Sequence, residues 1–463
     1  MSGDKAVQSS IWQFSRSFSG VANRYPERFG QLALQFPKDT HHKYISAIFD
    51  AMALTKPPSD VPPNETKTWK PASIDTVWAV WDKFRETKTG DIAKSFCSLM
   101  EDRADEEWPA SAIEKLVYIA INHPDPEPGK LNLTSGGDDF FTDGKSVELL
   151  FQNSINCVRG AAARAMAKLI WEHPHWLDKL KPGIESLISD HHPAVRIASI
   201  NILLTIYNIN PAQAVTWFCK LSKEDLRVPA SKYAVDFFNH TILEFYDQLK
   251  PIALEMINAS MEEVSTCGAE LSTAYFLFHG LFEEEVELCR TGTAAQRKGV
   301  AKTAASFIND AKYTETCQKF LFPLLNDTDS EVRKETVFTF GDIFFSSSKG
   351  VDFAKHVIQS KAFTDSAFRL IYDLNNFKGS LISCHPIILE ICRVITTSLL
   401  ESSKDYQSRF PYELEQISPL LLRLYEQAIE KNSGIANRCL DAWDTLYEHR
   451  VGFTRSLTQS IDK

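Results

Sequence analysis

The stretch LISDHHPAVRIASINILLTIYNI, Leu187 to Ile209, sets the pattern of this chain. An aliphatic helix end runs into a short polar turn, and a second, apolar helix follows. The same form recurs in LLNDTDSEVR (Leu324 to Arg333). It recurs more loosely in LFQNSINCVR (Leu150 to Arg159), LCRTGTAAQR (Leu288 to Arg297) and IEKNSGIANR (Ile429 to Arg438). Each decapeptide opens on Leu or Ile and closes on Arg. Six residues before each arginine stands Asn153, Asp190, Thr291, Asp327 or Asn432. These are small polar residues of the kind that cap helices and close turns by accepting from free backbone N–H groups.

The five arginines, Arg159, Arg196, Arg297, Arg333 and Arg438, are separated by 37, 101, 36 and 105 residues. The short intervals equal one two-helix repeat, and each long interval leaves room for two degenerate units. A period near 40 with helical patterning throughout is the mark of an α-solenoid. The unit resembles the HEAT repeat. In that family the turn Asp and the second-helix Arg pair along the stack, and Asp190 with Arg196 and Asp327 with Arg333 fit the pattern. The other three units replace the Asp, so the resemblance implies an interrupted ladder. The expected fold is all-α, a curved superhelix of HEAT-like helix pairs. A chain of 463 residues exceeds the usual size of one compact core. A solenoid avoids that limit because each repeat packs on its neighbours.

The sequence divides into an N-terminal helical cap (1–55), a Pro-rich loop (56–72), degenerate repeats (73–121), a long irregular loop (122–146) and a repeat array (147–463). In the cap, Tyr44, Ile48, Phe49 and Met52 share one helical face. KPPSDVPPNETKTWKP, Lys56 to Pro71, carries five prolines and reads as a loop or packed linker. Capping boxes are expected at Ser111 with Glu114 and at Thr328 with Glu331. Helix breaks are expected at Lys181–Gly183 and Lys250–Pro251, among others. Val195 to Ile206 is apolar nearly all round, as suits an interior helix with several neighbours.

Two further stretches carry a second resemblance. ANRYPERFGQLALQFPKDTHHKYISAIFDAM (Ala22 to Met52) is one. EKLVYIAINHPDPE with NSINCVRGAAARAMAKLIWEHP (Glu114 to Pro174, with the loop between) is the other. They resemble the C-terminal helical region of bacterial STAND-type NTPases with NACHT-like cores, many of them antiviral. The resemblance implies that this chain is the trigger-sensing half of such a protein, without the ATPase core. Its expected partner is a protein, either a phage protein or an NTPase or effector subunit.

Charge and cysteine usage exclude several classes. The formal net charge is −10, which argues against broad binding to a phosphate backbone. The nine cysteines form no CxxC pair, which points to a reducing, cytoplasmic setting. The N-terminus has no apolar signal core. No run approaches a membrane span, so no membrane partner is expected.

Chemistry is sparse. Asp143-Gly144-Lys145-Ser146 lacks the earlier glycine of a phosphate loop. Asp138, Asp139, Asp143 and Lys145 suggest a carboxylate cluster, but no strand fixes it. His173, His175, His191 and His192 lack a completing ligand set, and no His–Glu dipeptide of the HEAT-type hydroxylases occurs. No G-x-S-x-G nucleophile elbow is present. Arg297, Lys298 and Lys302 form a small basic patch, and Glu283, Glu284, Glu285 and Glu287 an acidic run. Both read as solvated helix faces. No catalytic residue, metal or cofactor is therefore expected.

The candidates for partner binding are Asp138, Asp139, Phe140 and Phe141 in the long loop, where the two rings either tuck under the loop or await a partner, together with the inner helix faces. Binding without bond-making is the leading reading. A general helical-repeat adaptor is the second, and a HEAT-like enzyme acting on nucleic acid the third. This division of roles has a direct test. Asp190→Ala or Arg196→Ala should lower the melting temperature more than partner affinity, and Phe140→Ala with Phe141→Ala should do the reverse. Comparable melting losses at both places would contradict it.

Overall fold

The computed structural model describes residues 3–59, 61, 66–85, 90–127, 146–337, 345–401 and 411–448. Among these every regular element is a helix. The chain forms two compact units, Met1–Met256 and Ile257–Lys463. That boundary falls within the stretch that the sequence presents as one continuous array.

In the first unit the helices are α1 (Gly3–Arg24), α2 (Pro26–Ala33), α3 (His42–Met52), α4 (Ile74–Phe84), α5 (Gly90–Asp102), α6 (Ala110–Asn122), α7 (Val147–Asn156) and α8 (Val158–Glu172). They continue with α9 (Leu177–Ile188), α10 (Pro193–Tyr207), α11 (Pro211–Ser222), α12 (Lys232–Thr241) and α13 (Tyr246–Ile257), at whose end the boundary falls. The second unit holds α14 (Glu262–His279), α15 (Glu283–Thr291), α16 (Ala294–Phe307), α17 (Thr314–Leu324) and α18 (Ser330–Glu335). After these come α19 (Ser348–Ile358), α20 (Lys361–Asn376), α21 (His385–Glu401), α22 (Pro411–Ala428) and α23 (Ser433–Glu448).

Packing within each unit follows chain order. In the first, α1 packs on α3, α3 on α5, α5 on α8, α8 on α10 and α10 on α12. In the second, α14 packs on α16, α16 on α18, α18 on α20 and α20 on α22. Such order explains α10. Its twelve buried residues lie all round the helix, because α7, α8, α9, α11 and α12 all contact it. Small residues bring some of these helices close together. A Cβ on Gly299 in α16 would sit 2.4 Å from the Thr266 carbonyl oxygen of α14. At the same junction Thr266 Oγ1 donates to Ala295 O at 3.1 Å.

Helix starts follow local chemistry. His192 and Asn210 cap α10 and α11, each with a proline in the first turn, where its missing N–H costs nothing. Two expected caps differ. The α6 helix starts at Ala110 with Pro109 as its cap, so Ser111 already lies in the first turn. The α18 helix is capped by Asp329, whose carboxylate accepts from the Glu331 and Val332 amides, rather than by Thr328. A carboxylate at the cap meets the helix dipole with full charge. A complete capping box forms instead at Thr293 with Gln296.

Two expected breaks are absent. The α9 helix runs through Pro182, and α13 runs through Pro251. Each proline forfeits a hydrogen bond and costs about 3 kcal/mol. Burial of Leu180, Ile184, Leu187 and Ile188 around the first, and of Leu249, Ala253 and Met256 around the second, holds the helix regular. The described residues of the Lys56–Pro71 segment are mostly exposed, but two anchor it: Val61 is buried, and Trp69 Nε1 donates to Asn23 O at 3.0 Å.

Arg103 organises the start of the chain. Its side chain is 1 % exposed. Nη1 donates to Met52 O at 3.1 Å and Ala72 O at 2.7 Å, and the guanidinium also pairs with Glu106. Its own carbonyl accepts from Trp108 Nε1 at 2.9 Å. One guanidinium thereby joins the end of α3, the entry to α4 and the end of α5. Arg103→Met should leave two carbonyls without donors and cost about 3–5 kcal/mol. The check is the melting temperature beside Arg393→Met, whose side chain is 61 % exposed and pairs with Glu390 one turn away. Equal losses would show that Arg103 has no such joining role.

Candidate functional site

The repeat arginines explain how the helices that carry the candidate site are set. Arg159 Nε donates to Asp190 Oδ2 at 2.8 Å and Nη2 to Asp190 Oδ1 at 3.1 Å. Its Nη1 also donates to His123 O at 2.6 Å, and Nη2 to Pro126 O at 3.1 Å. Arg297 makes the same two-pronged pair with Asp327, at 2.6 and 2.9 Å. Arg196 reaches Glu224 at 2.7 Å, and Arg333 reaches Asp365 at 2.5 Å. The turn carboxylate thus takes the arginine of the preceding unit. Asp190 pairs with Arg159 rather than Arg196.

The ladder interruption expected from Asn153 and Thr291 is therefore absent at Arg159 and Arg297. What matters for each arginine is the turn that follows it, and those turns carry Asp190 and Asp327. Arg333 additionally donates to Asp327 O at 2.7 Å, tying its own turn through the backbone. Asn153 is buried on α7. Arg438 is exposed on α23. Leu288 and Ile429, first residues of two of the decapeptides, are exposed, whereas Leu150, Leu187 and Leu324 are buried.

The other candidates resolve unevenly. Asp138, Asp139, Phe140 and Phe141 lie outside the described residues, as do Asp143 and Lys145. The basic patch is neutralised: Arg297 by Asp327, Lys302 by Glu270 at 2.7 Å, and Lys298 by Glu262 at 3.9 Å. Among the described residues no group of three or more His, Cys, Asp or Glu side chains is placed to hold a metal ion. Burial pushes the Cys97, Cys267 and Cys392 thiols up to about 12, so they are protonated at neutral pH and poor nucleophiles.

One groove of about 580 Å³ stands out in the first unit. It is built by α5, α8, α10 and α12. Arg164, Ala167, Lys168 and Trp171 line it from α8, at the i, i+3, i+4, i+7 spacing of one helical face. Asn201, Leu204, Thr205 and Asn208 line it from α10 and its end. Every member of the second set lies 37 residues after its counterpart in the first, which is also the interval between Arg159 and Arg196. Equivalent positions of two successive repeats therefore form the wall. Tyr233 and His240 add α12.

The charges inside the groove answer one another. Arg164 Nε donates to Glu101 Oε2 at 3.1 Å and Nη1 to Ile155 O at 3.1 Å. Burial pushes the Glu101 carboxyl up, against the pull of Arg164. Lys168 pairs with Glu172 at 2.6 Å, and Tyr207 Oη donates to Glu244 at 2.7 Å. Trp171, by contrast, is 59 % exposed. The arrangement offers aromatic surface and side-chain amides with little net field. Trp171 is marked in the sequence as an aromatic beside a helix break, but the other lining residues are marked only by their distance from the arginines. The signal lay 5, 8, 9 and 12 residues beyond Arg159 and Arg196.

The Arg297–Asp327 pair predicts an acid-sensitive contribution. Burial raises the Asp327 carboxyl, but the Arg297 hydrogen bonds, the Asp329 amide and the Arg333 charge outweigh it and hold it below the usual range. A depressed folded-state value adds stability that is full above the unfolded value of about 3.9 and is lost as pH falls through the folded one. Asp327→Asn should cost about 2 kcal/mol at neutral pH, less than for a fully buried pair because Arg297 stays partly solvated. Thermal melts of both proteins from neutral to acid pH should converge below about pH 4. A gap that stays constant would refute the assignment.

No family model and no curated protein matches the chain. Among solved structures, the crystal structure of an engineered protein aligns over 94 % of this chain and 94 % of its own, at 13 % identity with a TM-score of 0.25. Agreement of that size does not establish a common fold.

Proposed function

We propose that the chain is a non-catalytic recognition scaffold, an α-solenoid of HEAT-like helix pairs that grips a protein partner. The observation that carries this reading is the groove lined by equivalent residues of two repeats, with Trp171 at its surface. Successive helices pack in chain order within each unit, and arginine–carboxylate pairs recur at about one repeat, the habit of an array. Tyr, Trp and Arg are the residues that anchor protein interfaces. The charged groups of the groove are paired, Arg164 with Glu101 and Lys168 with Glu172, which suits binding better than proton transfer.

The occupant is an exposed segment of a protein. Side-chain amides at Asn201 and Asn208 both donate and accept, matching a peptide backbone, and the aromatic rings suit apolar side chains. A nucleic acid would need an unbalanced positive wall. The resemblance to STAND sensor regions makes the partner, by proposal, a phage protein, with the chain as the trigger-sensing part of a bacterial defence NTPase.

The test is direct binding of purified phage structural proteins to the purified chain by calorimetry or interferometry. A partner should bind with a dissociation constant of about 10 μM or tighter. Trp171→Ala combined with Asn201→Ala should weaken it by roughly tenfold or more, while shifting stability by less than about 1 kcal/mol. Failure across a broad panel removes the defence reading. Binding that ignores both substitutions removes the groove.

A further inference from the structure

The groove of the first unit crosses its helices rather than running along one. Its lining comes from α5, α8, α10 and α12, which pack on one another in that order. A ligand lying in the groove therefore passes over one helix after the next. Helices packed in this way have axes about 8–10 Å apart. Equivalent residues of α8 and α10 line the wall, so the ligand meets the same positions again at about that interval. Chains of different conformation repeat at different lengths. A β-strand returns to one face every two residues, about 6.8 Å, and an α-helix every ~5.4 Å. Polyproline II has three residues per turn and rises about 3.1 Å with each, which gives a repeat of about 9.3 Å. Of the three it alone matches the helix spacing in one turn. A helix using every second turn would come near it, but its backbone groups are spent on each other and would leave the donors of the groove unmatched.

The lining suits that conformation chemically. Trp171 is exposed, and its indole N–H donates to no described residue. Tyr207 Oη is committed to Glu244, and its ring stands edge-on to Phe237 and Phe245, at 6.4 and 6.3 Å between centroids. Tyr233 stands edge-on to Phe151 at 5.0 Å, and its hydroxyl donates to no described residue. These contacts fix both tyrosine rings before any ligand arrives. Asn208 Nδ2 donates to Leu204 O at 3.4 Å, which leaves its second N–H for a ligand. The groove thus sets flat rings beside N–H and O–H donors. A proline-rich chain is the complement: its rings pack on aromatic faces, its carbonyls have no internal partner, and it has few N–H groups to satisfy. Arg164 and Lys168 are paired with Glu101 and Glu172, which favours an uncharged segment.

We propose that the groove binds a proline-rich segment of its protein partner in the polyproline II conformation. The inference rests on the reading of the groove as a protein-binding surface and names the class of segment that fills it. Proline rings pack on Trp171, Tyr207 and Tyr233. Carbonyls of the segment accept from Trp171 Nε1, Asn208 Nδ2 and Tyr233 Oη, and successive helices meet residues three apart. Such a segment is already extended when free, so little ordering entropy opposes its binding. A strand-forming segment would fall out of step with the helices and bring N–H groups that the groove answers poorly.

The probe is fluorescein-labelled decaproline, titrated with the full chain and followed by anisotropy, beside an alternating Thr-Gln peptide of the same length. Decaproline should bind with a dissociation constant of about 100 μM or tighter, and the Thr-Gln peptide roughly tenfold more weakly or worse. Two further peptides share one composition. The one with prolines at every third position should bind roughly threefold or more tightly than the one with its prolines contiguous. Trp171→Ala should weaken decaproline roughly tenfold, and Tyr233→Phe, which keeps the ring and removes the donor, roughly threefold. Asn208→Ala, exposed just past α10, should also lose roughly threefold and serves should Trp171→Ala fold poorly. No binding of decaproline at about 1 mM chain would overturn the inference. So would affinity equal to that of the Thr-Gln peptide, equal affinity of the two proline spacings, or affinity indifferent to both Trp171→Ala and Asn208→Ala. The wider role of the groove fails separately, when a bound protein partner ignores Trp171→Ala with Asn201→Ala.

Discussion

A guanidinium reaching forward to the next turn is the contact on which the repeat depends. Arg159 holds Asp190 with two hydrogen bonds and two further carbonyls with the rest of its fork. Arg297 does the same for Asp327 and for Gly292 O. Arginine is suited to this because its donors lie in one rigid plane and it stays charged when partly buried. Lysine offers one point charge and no such fork. The contact joins units that chain connectivity alone would leave free to slide, so it sets the spacing of helices that apolar packing would specify only loosely.

That spacing produces the groove. Arg159 and Arg196 occupy the same place in successive repeats, so residues at equal distances beyond them come to lie side by side. Arg164 and Asn201, Lys168 and Thr205, and Trp171 and Asn208 are such pairs, and all six line the groove. This surface is built by periodicity, each repeat contributing the same positions along its helix. A side chain on it can then change without disturbing the helix pair that carries it.

The first unit places two kinds of polar environment on its helices. In the groove, cations and carboxylates pair off and leave aromatic surface as the distinctive feature. Between α1, α3 and α5, serines from three helices stand beside Arg16, Lys43, Lys94 and Asp50. The same backbone architecture thus carries surfaces of different character, because outward-facing positions contribute little to helix packing. Arg103 shows the opposite case. A polar group at 1 % exposure persists because backbone carbonyls from separate segments converge on it, and an unpaired buried charge would be costly.

Sequence by itself determined the helical class, since apolar residues recur at helical spacing and strand alternation is lacking. It also located the repeat arginines and the turns between helices, because capping residues and helix-initiating prolines act over a few residues. Tertiary structure decided which carboxylate each arginine takes, since Asp190 answers Arg159 across 31 residues and no local pattern specifies that choice. It also decided that α9 and α13 continue through Pro182 and Pro251, where burial along the helix outweighs one missing hydrogen bond. The groove belongs to the same category. Its residues come from separate helices, and only packing brings them together.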